Sequence, residues 1–148
     1  MNKLLILLSL LFLLTGCATA YQKEGFGGGY NDMKMGEDLY RVSFKGNGYT
    51  GSDTVHKFFL RRCAELTLEQ GFDYFSTVDQ NSNSSSYIIS GNTTGTIQKN
   101  YYGGYNYTAN TQNIIVNKHS RDGMIGLFYV GSQPDNAIDA KIFLGNFK

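Results

Sequence analysis

Few residues in this 148-residue chain are of types that support covalent or acid–base chemistry. There are two cysteines, Cys17 and Cys63, and two histidines, His56 and His119. A zinc site needs three or four such ligands in workable geometry, and two dispersed histidines with one thiol do not suggest one. Cys63 and His119 are by type a nucleophile and its base, but nothing in the sequence places them together. Cys63 falls among the apolar positions of a predicted helix and reads as a buried, inert thiol. A reactive cysteine needs an exposed, electropositive setting. Arg61, Arg62, Glu65 and Glu69 gather on the other side of that helix and read as surface pairs. Arg61 and Glu65, at i,i+4, are worth a few tenths of a kcal/mol. Basic before acidic is the poorer order for the helix dipole, which points to a tertiary partner for a residue such as Glu65. Asp73 and Asp139 read as turn residues that bond nearby backbone N–H groups. No catalytic constellation, metal site or cofactor site emerges.

Cys17 has a different context. Met1-Asn2-Lys3 is basic, and Leu4 to Leu14 is apolar apart from Ser9. This is the layout of a secretory signal, and the run is too short for an ordinary membrane-spanning helix of about 20 residues. The segment ends Leu14-Thr15-Gly16-Cys17, which resembles the lipobox of bacterial lipoproteins. That resemblance implies cleavage before Cys17, a diacylglycerol on its thiol and a further acyl chain on its amine. Two or more chains give stable attachment, at about 0.8 kcal/mol per buried methylene. In lipoproteins of this kind Asp after the cysteine marks retention in the inner membrane; Ala18 implies the outer one. The expected address is therefore the cell envelope, lipid-anchored and facing the periplasm.

The elements that follow must form one domain. A leader of residues 1–16 leaves a chain long enough for a single core. Basic residues number 13 and acidic 12, and only Lys3 lies in the leader. A balanced chain has no general pull toward nucleic acid or anionic lipid, so no nucleic-acid partner is expected. Residues 17–29 read as the lipidated cysteine and a flexible, glycine-rich tether, and residues 30–148 as the domain. Gly25-Phe26-Gly27-Gly28-Gly29 lacks the preceding strand and the Lys-Ser/Thr of a phosphate loop.

Leu39 to Lys45 alternates, with Tyr40, Val42 and Phe44 to one side, as in a half-buried strand. A helix is predicted over about 53–70, capped by Ser52 or Asp53 and stopped at Gly71. Its apolar face carries Val55, Phe59, Leu60, Cys63 and Leu66, and suits a helix lying across a sheet. Phe58 and Leu68 fall outside that face; a covering loop is expected over them, with a protein partner as the alternative. Phe72 to Val78 reads as a strand, with Phe72, Tyr74, Ser76 and Val78 on one side. Residues 81–86 read as a polar loop, and Tyr87 to Thr96 and Gln112 to Lys118 as further strands. A Tyr/Gly-rich loop is expected at about 99–111. Met124 to Val130 fits a central strand, and Lys141 to Phe147 a last strand or helical end. The order gives an α+β fold: one main helix on a mostly antiparallel sheet.

Arg62-Cys63-Ala64-Glu65-Leu66-Thr67-Leu68-Glu69-Gln70-Gly71-Phe72-Asp73-Tyr74-Phe75 resembles the helix-to-strand motif of a family of small bacterial envelope lipoproteins of unknown function. Gly28-Gly29-Tyr30, the run from Tyr40 to Gly48, and Asn136-Ala137-Ile138-Asp139-Ala140 carry the same resemblance, while residues 81–113 depart from it. Cys63 stands where the family has a small residue. The resemblance implies a lipoprotein and a fold, and no activity.

The expectation is thus a non-enzymatic interaction or structural module, with an envelope protein as partner. The alternative is a module that binds glycan or peptidoglycan through Tyr101, Tyr102, Tyr105 and Tyr107, since loop tyrosines stack on sugars and bind protein partners. A hydrolase is the third reading.

Overall fold

The structure, a computed structural model, describes residues 18–99 and 105–147. The elements are β1 (Gly29–Lys34), β2 (Leu39–Lys45), α1 (Ser52–Glu69), β3 (Tyr74–Lys99), β4 (Tyr105–Phe128), β5 (Ile138–Asp139) and α2 (Ala140–Gly145). The fold is α+β, as expected. The sheet has the order β1-β2-β4-β3-β5, and β1–β2, β2–β4 and β3–β5 are antiparallel pairs. Residues 18–83 and 118–147 fall in one compact unit, and Ser84–Asn117 form a second.

The alternation of β2 sets the core of the first unit. Tyr40, Val42 and Phe44 are buried because successive side chains point to opposite faces. Ile125 and Leu127 of β4 and Phe75 of β3 join them from the sheet. From above, α1 contributes Val55, Phe59, Cys63, Ala64 and Leu66, a stripe at helical spacing. Leu60, expected with them, is only partly buried at the edge of the core. Each buried aliphatic or aromatic side chain stabilises the fold by about 1.5–3 kcal/mol relative to exposure. Beside the helix, Ala140 at the start of α2 is fully buried.

Several boundaries differ from expectation. The cap of α1 is Gly51, and no side chain bonds the first turn. Neither Ser52 nor Asp53 serves, because both already lie inside the helix. Gly71 does end it, with φ +81°, and Phe72 N–H donates back to Thr67 O. Residues 81–86 are not a loop; they continue β3. Likewise Tyr87–Thr96 and Gln112–Lys118 are not separate strands but parts of β3 and β4. Ser, Thr and Asn carry loop signals, yet they also accept extended backbone once a partner strand supplies hydrogen bonds. Of the loop expected at 99–111, Lys99 and residues 105–111 are strand, in β3 and β4. The segment Met124–Phe128 ends β4, which lies third of the five strands. Of the two endings expected for the chain, the helical one forms, as α2.

Candidate interaction surfaces

Residues 18–29 do not behave as the expected tether; they pack on the domain. Thr19 is buried. Its N–H donates to Thr50 Oγ1 at 2.9 Å, and its hydroxyl donates to Gly27 O at 3.0 Å while accepting from Asn47 N–H at 2.8 Å. Tyr21 then lies over the helix. Its ring is 5.3 Å from Phe58 and 5.1 Å from Tyr30, and its hydroxyl donates to Glu65. This strap is the cover expected over Phe58, and Tyr21 is the tertiary partner expected for Glu65. Leu68 stays exposed.

The strap then turns tightly. Gly25 N–H donates to Gly28 O and Gly28 N–H to Gly25 O, both at 3.1 Å. Gly28 has φ +96°, and a Cβ there would stand 2.2 Å from Lys45 O. The position demands glycine both for its backbone conformation and for the closeness of β2. Phe26, at the tip of this turn, is fully exposed.

Behind the strap lies a charge network. Arg62 Nε donates to Asp32 Oδ1 at 2.9 Å, and its two terminal nitrogens grip Glu69 at 2.8 and 3.0 Å. Its guanidinium lies 4.7 Å over the Tyr30 ring. Burial opposes the charge on Arg62, but the hydrogen bonds to Glu69 and Asp32 outweigh it and raise the pKa further. Arg61 Nε donates to Glu65 at 2.8 Å and stacks 4.0 Å from the Tyr21 ring. The arrangement is a clamp that ties β1, α1 and the strap together. Arg61, Arg62, Glu65 and Glu69 each bond a protein partner and so do work of positioning.

Cys63 is fully buried, and burial raises its thiol pKa well above the ordinary value. It is a core side chain, as expected. His56 Nδ1 is buried without a hydrogen-bond partner, and burial followed by repulsion from Arg121 lowers the imidazole pKa. The backbone of His119 accepts from Gly46 N–H at 2.9 Å. Asp73 Oδ2 accepts from Val130 N–H at 3.3 Å, and Asp139 Oδ1 caps α2 through Ile142 N–H at 2.8 Å. Both aspartates therefore take the backbone-bonding roles expected of them. Among the described residues, no group of three or more His, Cys, Asp or Glu stands together to hold a metal ion. A groove of about 450 Å³ between α1 and α2 is lined mainly by Leu60, Ile138, Ile142 and Phe143, with Lys57 at its edge.

The second unit, Ser84–Asn117, is built from the far parts of β3 and β4. Ser86 Oγ and Asn117 Oδ1 are 2.7 Å apart. Ile88 and Ile89 follow Ser86 closely in β3, and Ile114 and Ile115 precede Asn117 closely in β4. All four are exposed, as is Ile97; Ile88, Ile115 and Ile97 retain 64, 65 and 69% of their accessible surface. Neighbouring isoleucines point to opposite faces, so both faces of the ribbon carry apolar side chains. Among the described residues the outer edges are also open. Only Ser120–Gly126 of β4 pair with β2, and only Tyr74 and Phe75 of β3 pair with β5. Among the described residues of Ser84–Asn117 there is no third strand.

Of the candidates named from sequence, Cys17, Tyr101 and Tyr102 lie outside the described residues. Tyr105 and Tyr107 belong to β4, which makes them strand rather than loop residues. Comparison with protein families, curated proteins and solved structures finds no match to the chain. Tyr87–Thr96 and Gln112–Lys118 were expected as strands and are strand; the reach of the ribbon was missed because residues 81–86 and 105–111, expected as loop, are strand as well. The usable signal was charge: Ser84–Asn117 contains Lys99 as its single charged residue and no proline.

Proposed function

We propose that the chain is an envelope lipoprotein, held through Cys17 in the outer membrane and facing the periplasm, that acts by docking rather than by catalysis. The Ser84–Asn117 ribbon is the docking element. Its occupant is an extended segment of an envelope protein, added as a strand to an open edge. The observation that carries this reading is the ribbon's exposure: two open edges, isoleucines on both faces, and one charge.

Two-stranded ribbons are marginally stable in water on their own. Exposed edges are ordinarily blunted by charge, proline or cover, because an open edge is a template for pairing. This ribbon has little such protection. Strand addition supplies the missing main-chain hydrogen bonds and covers alternate side chains. A nearly uncharged ribbon favours a segment that is itself extended and poor in charge.

The experiment is photo-crosslinking in cells, with a photoreactive residue placed at Ile97 or Ile114 and, for comparison, at Leu68 on the exposed side of α1. The expected result is a discrete adduct from the ribbon positions, identified by mass spectrometry as an envelope protein, and none from Leu68. Absence of any adduct from both ribbon positions contradicts the proposal.

A further inference from the structure

We infer that the turn Gly25–Gly28 and the neighbouring Tyr49 form a membrane-facing surface, with the Phe26 ring seated among lipid headgroups and upper acyl chains. The inference rests on the proposed lipidation of Cys17 and adds to it a fixed orientation of the domain.

The argument begins with reach. Thr19 is pinned by its bonds to Thr50, Asn47 and Gly27. Two residues of extended chain span at most about 7 Å, so a lipid on Cys17 holds this corner of the domain at the bilayer surface. In sequence only Ala18 stands between Cys17 and Thr19. The rings nearest that corner are then decisive. Gly27, whose carbonyl receives the Thr19 hydroxyl, directly follows Phe26. Tyr49 directly precedes Thr50, and its N–H donates to Asn47 Oδ1 at 2.9 Å. Phe26 is fully exposed and Tyr49 retains 77% of its surface.

A phenylalanine held in water at the tip of a tight turn contributes nothing to the core. At a bilayer interface the same ring buries its apolar surface, and tyrosine is suited to headgroup depth. The reciprocal Gly25–Gly28 bonds close the turn that carries Phe26, and Gly28 lies against Lys45 O of β2. Salt bridges do not compete for the site. Lys45 Nζ is 2.6 Å from Glu24 Oε1, which leaves that neighbouring pair with little net charge toward lipid.

The chain contains no tryptophan, so Phe26→Trp gives a single fluorescent probe in the full, processed chain. Val130→Trp is the control. Val130 is exposed and follows the end of β4 beside Asp73, at the opposite end of the β2–β4 pair from Lys45 and Thr19. Each protein is incorporated into phosphatidylcholine vesicles, with and without lipid brominated near the headgroup. The expected result for Trp at 26 is blue-shifted emission that brominated lipid quenches and aqueous iodide does not. Trp at 130 is expected to behave in the reverse way. Water-like emission from position 26, quenched by iodide in vesicle-bound protein, overturns the inference and leaves the anchor reading intact. A Cys17→Ser chain that fractionates with membranes as the parent does overturns the anchor reading itself, and the inference with it.

Discussion

Thr19 and Tyr21 hold more of the domain together than their place in an expected glycine-rich tether suggests. The Thr19 hydroxyl both donates to Gly27 and accepts from Asn47. Thr19→Val keeps the shape and removes both bonds in a buried setting. The expected loss is about 1–3 kcal/mol, measured by urea denaturation. His56 gives a second prediction at this scale. Its Nδ1 is buried without a partner, and burial with Arg121 lowers its pKa below the ordinary 6.5. Between the lowered value and 6.5 the unfolded chain binds more protons than the folded one, so stability rises with pH across that window. Stability is expected to be fully present above about pH 6.5 and to decline as pH falls through the window. In His56→Gln that part of the pH dependence disappears; an unchanged slope in a urea series from pH 5 to 8 contradicts the assignment.

At the scale of elements, the legible parts were those where hydrophobic period and burial agree. The alternation at Tyr40, Val42 and Phe44 and the stripe from Val55 to Leu66 marked β2 and α1 because both are half buried on one face. The strap was not legible and the ribbon only in part, for opposite reasons. In the strap, glycines that signal flexibility are used instead for close approach, as the contact of Gly28 with Lys45 O shows. In the ribbon, residues typical of loops form long strands whose apolar members stay exposed, so no periodic burial marks them. The clamp was half legible: the misordered charges of α1 pointed to a partner for Glu65, but not to Tyr21. Two substitutions follow. Gly28→Ala places a methyl group against Lys45 O in a left-handed conformation, and a loss of about 1–3 kcal/mol is expected from that strain. Asp139→Ala removes the cap of α2 and is expected to cost about 1 kcal/mol. Calorimetry of each variant beside the parent tests both, and a transition unchanged from the parent's counts against the packing described.

For the whole molecule, the division into two units has a mechanical consequence. Among the described residues, every buried apolar residue of the core, from Tyr40 to Ala140, lies outside Ser84–Asn117. A chain in which residues 86–115 are replaced by a short Asn-Gly turn is expected to retain the helix signal and the melting temperature of the parent, while losing the crosslinked partner. A collapse of the fold in that variant contradicts the separation of core from the proposed docking element.

Orientation at a membrane, the strap's role and the docking reading all depend on what is attached to Cys17. Intact-mass measurement of the processed chain, extracted from membranes, tests this most directly. The account predicts a mature chain that begins at Cys17 and carries the added mass of diacylglycerol and a further acyl chain. A mature chain that begins elsewhere, or that begins at Cys17 with an unmodified mass, contradicts it.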